Sequence, residues 1–162
     1  MNIFSKEKLP ETPKEILDKI ADVVGLKGII IDSTDMEPYL KEARGIYIGS
    51  SPAIIRPKST SEVAAVVSIC NENKVSIVPQ GGNTGLSGGG IANGEIIINL
   101  ERLNKIRDID PYNYTIVVDA GCILAEIQKT AEEYNRFFPL SLGAEGSCQI
   151  GGNLATNAGG TA

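Results

Sequence analysis

The chain has 162 residues, 42% hydrophobic and 22% charged, which is enough for one domain with its own core. Fifteen basic residues against twenty acidic ones give a net charge of −5, which argues against the basic face of a nucleic-acid binder. No run approaches the ~18 apolar residues of a membrane span, and residues 1–8 lack the apolar stretch of a secretory signal.

The first expected element is a helix. Thr12 is placed to cap it, Pro13 to take the first helical position, and Glu15 to complete a capping box. Ile16, Leu17, Ile20, Val23 and Val24 line one face, and Gly25 stops it. Residues 26–52 carry mixed signals, with Asp32, Asp35, Tyr39 and Arg44 scattered among them.

A βαβ unit follows. Ala53-Ile54-Ile55-Arg56 is a short buried strand, and Ser59 with Glu62 forms a capping box. Val63, Val66, Val67 and Cys70 make the packed stripe of a helix, and residues 75–78 return as a strand parallel to the first. That strand runs into Pro79-Gln80-Gly81-Gly82-Asn83-Thr84-Gly85-Leu86-Ser87-Gly88-Gly89-Gly90. Glycine has no Cβ, so such a loop can bring bare backbone N–H groups against an anion. It lies at the carboxyl end of a strand, where α/β sheets hold ligands.

Residues 95–100 read as a further strand. Residues 105–109 and 114–118 form a hairpin around the turn Asp110-Pro111-Tyr112-Asn113, opening a second, more antiparallel subdomain. Ile123, Ile127, Ala131 and Tyr134 mark a helix over residues 122–134. A second glycine cluster closes the chain, from Leu142 to Gly160, with a short helical turn from Ile150 that Gly159-Gly160 would end. The two clusters hold most of the 18 glycines. Neither is repetitive Gly/Ser, and both are bracketed by apolar segments; a flexible linker is the competing reading of either loop.

Familiar phosphate loops are excluded. No Gly-Lys-Ser/Thr follows the glycines, and G-x-G-x-x-G occurs nowhere. The three cysteines, Cys70, Cys122 and Cys148, are sparse and form no C-x-x-C pair, which suggests reduced thiols in the cytosol. With no histidine in the chain, the commonest zinc ligand and general base are missing, and no metal site is expected.

Pro79-Gln80-Gly81-Gly82-Asn83-Thr84-Gly85-Leu86 resembles the diphosphate loop of the vanillyl-alcohol oxidase/p-cresol methylhydroxylase type of FAD-binding domain. Pro139-Leu140-Ser141-Leu142-Gly143-Ala144-Glu145-Gly146-Ser147-Cys148-Gln149-Ile150-Gly151-Gly152-Asn153, with Thr156-Asn157-Ala158-Gly159-Gly160, resembles its second flavin-contacting segment. The wording is most similar to the D-2-hydroxyglutarate dehydrogenase branch, with D-lactate and glycolate dehydrogenases nearby. The resemblance runs from about Asp35 to the end.

The resemblance implies an α+β fold, an α/β sandwich with a βαβ-type first subdomain and the start of a second. Residues 1–52 would be a helical lead-in. Residues 53–162 would be the FAD-binding domain, incomplete at its C-terminal side and without its substrate domain. The cofactor would be FAD, the substrate a small D-2-hydroxy acid, and the electron acceptor a protein or quinone. This stretch would be the N-terminal portion of a longer flavoenzyme, inactive by itself and prone to self-association. A cofactor-free fragment is the competing reading.

Amides of Gly81, Gly82, Asn83 and Thr84 would meet the diphosphate, with the Thr84 hydroxyl as an extra donor and Gly85 and Leu86 continuing the contact. Pro79 and Gln80 would lead into it. Gly151 and Gly152 would let backbone approach the cofactor, while Ser147, Asn153 and Thr156 would hydrogen-bond it. Pro139, Leu142 and Gly143 would shape the wall, and Cys148 would pack there or lie beside the flavin without bonding to it. Glu145 would be a solvated charge, Arg56 would pair locally, and Tyr39, Tyr47, Tyr112, Tyr114 and Tyr134 would pack. The catalytic base is not assigned to any residue of this chain.

Overall fold

The computed structural model describes residues 11–160. The reading of residues 1–8 therefore lies outside the described residues. Helix α1 (Lys14–Val24) is followed by a 3-10 turn (Leu26–Gly28), strand β1 (Ile29–Ile30) and α2 (Ser33–Leu40). Then come β2 (Ile54–Ile55), α3 (Thr60–Glu72), β3 (Ile77–Gln80) and β4 (Ile96–Asn99). The hairpin β5 (Ile106–Asp110) and β6 (Thr115–Val118) precedes α4 (Leu124–Glu133) and α5 (Ile150–Ala155).

Four strands form one sheet in the order β1-β2-β4-β3. β2 and β3 run parallel, as expected, but they are not neighbours: β4 lies between them and pairs with both. All four residues of β4, three of them isoleucine, are buried, as suits a strand paired on both sides. The stretch before residue 53 also supplies a strand, because β1 pairs antiparallel with β2.

Strand alternation sorts the core into two layers. Ala53, Ile55, Ile96 and Ile98 pack with Ile16, Ile20 and Val24 of α1 and with Val66 and Cys70 of α3. Ile54 and Ile97 point the other way and meet Met36 of α2 and Ala92. A smaller core of Cys122, Ile127 and Ile150 underlies the hairpin, whose strands are antiparallel.

Several local expectations need correction. Pro13, with ψ 141°, holds the N-cap position of α1, so the Thr12 cap and its box do not form. Proline keeps its predecessor extended, leaving Thr12 one residue too far out. Gly25 does stop the helix, at φ +70°. At α3, Ser59 Oγ accepts from Glu62 N at 3.1 Å, but the Glu62 carboxylate reaches the amide of Lys58 rather than that of Ser59. Val67 is exposed, and Ile69 packs against the core instead. Helix α5 ends at Ala155, with Asn157 in the left-handed region at φ +49°, before Gly159 is reached.

Candidate functional site

The glycine loop leaves the carboxyl end of edge strand β3. Gln80, buried at its start, donates through Nε2 to the carbonyls of Tyr39 (2.8 Å) and Gly90 (2.7 Å), so one side chain closes both ends of the loop. Asn99 on β4 donates to Gln80 Oε1 at 3.1 Å and to the Gly81 carbonyl at 3.0 Å. Asn83, at φ +52°, donates to the carbonyls of Lys41 and Pro38. Pro79, exposed, belongs to β3 on its open edge, where a missing N–H costs no ladder bond. Thr84 is half-buried, and Gly85 and Leu86 are exposed. Among the described residues, no backbone N–H of residues 81–87 donates to a protein acceptor. A row of unpaired amides is an anion-receptive surface.

The second glycine segment lies directly against this loop. A Cβ on Gly82 would stand 2.0 Å from the Ser147 carbonyl oxygen, and one on Gly81 would stand 3.3 Å from Gln149. Ser147 and Cys148 close a turn onto Ala144, and Ile123 bridges Gln149, fixing this strip to the start of α4. Gln149 is buried, and its Oε1 has no partner. A buried acceptor without a donor is costly, so it invites one from a ligand.

The two neighbouring glycines of α5 do different things. A Cβ on Gly151 would press on Ala120 at 2.7 Å, so Gly151 permits a packing contact within the protein. Gly152 has open space, as does Gly143. Asn153 is buried with Nδ2 directed at Cys148 Sγ (3.4 Å), and Cys148 is buried beside it. The Ser147 and Thr156 hydroxyls donate to the carbonyls of Ala144 and Gly152. Pro139 is exposed and Leu142 half-buried, with Leu142 lying against Gly160.

Arg56 pairs locally with Glu101 at 3.0 Å. Glu145 is half-buried and takes a hydrogen bond from Gln128, so it is more than a solvated charge. Tyr39, on α2, packs against the cluster of Met36, Ile54, Ala92 and Ile97 and donates to Glu101, and burial followed by the Glu101 charge holds its hydroxyl pKa up. Tyr112 and Tyr114 are 89% and 78% exposed, so neither is a packing residue; Arg136 lies over the Tyr114 ring at 4.6 Å. Sequence reasoning missed Arg44, which donates through Nη2 to the Leu86 carbonyl from 42 residues away. Among the described residues no group of three His, Cys, Asp or Glu side chains could hold a metal ion.

A family model described as "FAD binding domain" matches residues 51–162. The chain belongs to that family. A D-2-hydroxyglutarate dehydrogenase of Xanthomonas citri pv. viticola is 44% identical over 130 residues, covering 80% of this chain and 28% of that protein. The mitochondrial D-2-hydroxyglutarate dehydrogenase of Arabidopsis thaliana is 39% identical over 140 residues, 86% of this chain and 25% of the other. The crystal structure of p-cresol methylhydroxylase with substrate bound superposes with a TM-score of 0.75 at 25% identity, covering 87% of this chain and 28% of that one. The fold is therefore the FAD-binding fold of the p-cresol methylhydroxylase type. The chain spans about a quarter of the length of these curated relatives.

The cofactor of this domain is FAD, and the residues present fit it. The unpaired amides of the loop suit its diphosphate. The orphaned Gln149 oxygen suits one of its hydroxyl or ring N–H donors. No helix among the described residues is long and apolar enough to cross a membrane.

Proposed function

We propose that this chain is the FAD-holding portion of a flavin-dependent dehydrogenase that oxidises a D-2-hydroxy acid, D-2-hydroxyglutarate foremost, to the 2-oxo acid. The observation that carries the cofactor half is the junction of two glycine segments around amides that make no bond to protein. The substrate half rests on likeness to the two D-2-hydroxyglutarate dehydrogenases.

In this reading the amides of Gly81, Gly82, Asn83 and Thr84 hold the diphosphate, and Gly85 and Leu86 extend the contact. Gly152 supplies a bare backbone surface, and Leu142 and Gly143 form part of the wall. Ser147, Asn153 and Thr156 hydrogen-bond the cofactor. Bound FAD supplies the hydride acceptor, so the tasks left to the protein here are binding and orientation. In this reading the catalytic base and the substrate-facing wall come from outside this chain, which covers about a quarter of the relatives' length. The electron acceptor is a protein or quinone. The compartment proposed is the cytosol, in keeping with three unpaired thiols. Exposed Ile31, Phe137 and Leu154 support self-association of the isolated chain.

The test has two arms. The 162-residue chain is mixed with FAD, desalted, and examined for a retained flavin spectrum; a colourless product rejects the cofactor assignment. A protein of the relatives' length carrying this domain is then loaded with FAD and mixed anaerobically with D-2-hydroxyglutarate, D-lactate, glycolate and the L-acids. Fastest bleaching of the flavin by D-2-hydroxyglutarate is expected. Faster bleaching by an L-acid, or none by any D-acid, rejects the substrate assignment. The short chain alone should reduce no acceptor with any of them.

A further inference from the structure

The glycine loop lacks a ladder of its own, yet three of its residues rest on one distant turn. Asn83 donates to the Lys41 carbonyl at 3.0 Å, the Leu86 carbonyl accepts from Arg44 Nη2, and Gly88, at φ +77°, lies against the Tyr47 ring. Residues 41–47 form that turn, and its centre is a buried carboxylate. Glu42 Oε1 accepts from the amides of Ile46 (2.8 Å) and Tyr47 (3.4 Å). Oε2 accepts from the Arg44 amide (2.8 Å) and Arg44 Nε (3.5 Å). Gly45, at φ +67°, closes the turn by donating to the Glu42 carbonyl, and Lys41 bridges Ile48.

We propose that this turn is a positioning device for the glycine loop, with Arg44 the residue that couples the two. The proposal rests on the FAD reading above. Glu42 fixes one side of the guanidinium through Nε, leaving Nη2 to grip the loop. A planar trans peptide points its C=O and N–H in opposite directions. Drawing the Leu86 carbonyl toward Arg44 therefore turns the Ser87 N–H to the opposite side. It also removes from the ligand's side a carbonyl oxygen that would repel an anion. The shape is set before the cofactor arrives, which lowers the ordering cost of binding. Arg44 is a positioning residue, since it acts through the loop.

The test uses the full 162-residue chain with R44A and R44K. Hydrogen exchange of the Ile91 amide, which closes the loop by donating to the Gly88 carbonyl at 3.0 Å, is measured without cofactor, and FAD affinity is measured by flavin fluorescence. R44A should speed exchange at this amide and weaken FAD about tenfold, the scale of one charge-assisted hydrogen bond. Exchange in α1 and β4 should not change. R44K keeps the charge and most of the stem, so it folds where R44A does not, and it should show the same loop-specific effect because an ammonium cannot bond Glu42 and Leu86 through one plane. Methylguanidinium should restore affinity to R44A, because the Arg44 side chain is 43% exposed and its place can be reached. Unchanged loop exchange, or unchanged FAD affinity in either variant, overturns the proposal. A wild-type chain that takes up no FAD while R44A still alters loop exchange identifies the FAD reading as the failure, and the cofactor part of the proposal falls with it.

Discussion

The carbonyl oxygen of Ser147 occupies the place where a side chain on Gly82 would begin, 2.0 Å from the ideal Cβ position. The two glycine segments are thus held together by protein packing at this point. Gly82→Val should destabilise the chain by about 1–3 kcal/mol, because backbone must move to admit the branched side chain. Urea unfolding without FAD measures it. An unchanged midpoint would mean that the segments do not touch there.

Gly152 gives the opposite expectation. Its Cβ would meet nothing within 4 Å. Gly152→Val should leave tertiary packing intact, with only the modest helix-propensity change of an exposed site, within about 1 kcal/mol. FAD retention should fall at least about tenfold if that open face meets the cofactor, a loss of about 1.4 kcal/mol. Equal retention by the variant places the cofactor elsewhere.

Glu42 makes stability sensitive to acid. Amide donors, the Arg44 N–H first, hold its carboxyl below the ordinary value of 4.5, and Arg44 is the charged group facing it. A depressed folded-state value favours the ionised form in the fold. Its contribution is therefore complete above the ordinary range and fades as pH falls through 4.5 toward the folded value. Wild type should be more stable than E42Q at pH 7, and the gap should close below pH 4.5. Melting curves from pH 3 to 7 check this; a gap that is constant with pH contradicts it.

Cys70, Cys122 and Cys148 are buried and unpaired. Burial pushes the Cys70 and Cys122 thiols up. A thiol reagent at pH 8 should react slowly with all three in the folded chain and quickly in denaturant, with a rate ratio above about 100, since reaction requires opening. Rapid labelling of the native protein would contradict this packing.

Much of this was legible because it is local. Ile96-Ile97-Ile98 announces a buried strand wherever it lies, and Asp110 builds its turn from neighbours, accepting from Tyr112 N and Asn113 N. Helix ends were less legible where the stop is not glycine. Lys74, Asn135 and Asn157 take the left-handed position after α3, α4 and α5, and Lys or Asn there carries a weaker signal than Gly. Strand order was hidden because β4 enters between β2 and β3 after both have been made. Arg44 was hidden because its partner is a carbonyl oxygen, which every residue has; no side-chain pattern marks that choice.

The position of β4 also orders events during synthesis. β3 and its glycine loop leave the ribosome before Asn99, which fastens Gln80 and Gly81, and well before Ser147 and Gln149, which close against Gly81 and Gly82. Until then β3 has no partner strand among the described residues, where it pairs with β4 alone. A nascent chain that has not yet emerged through Gln149 therefore has no completed junction to offer, and closure of the glycine loop waits on the segment that carries Ser147 and Gln149.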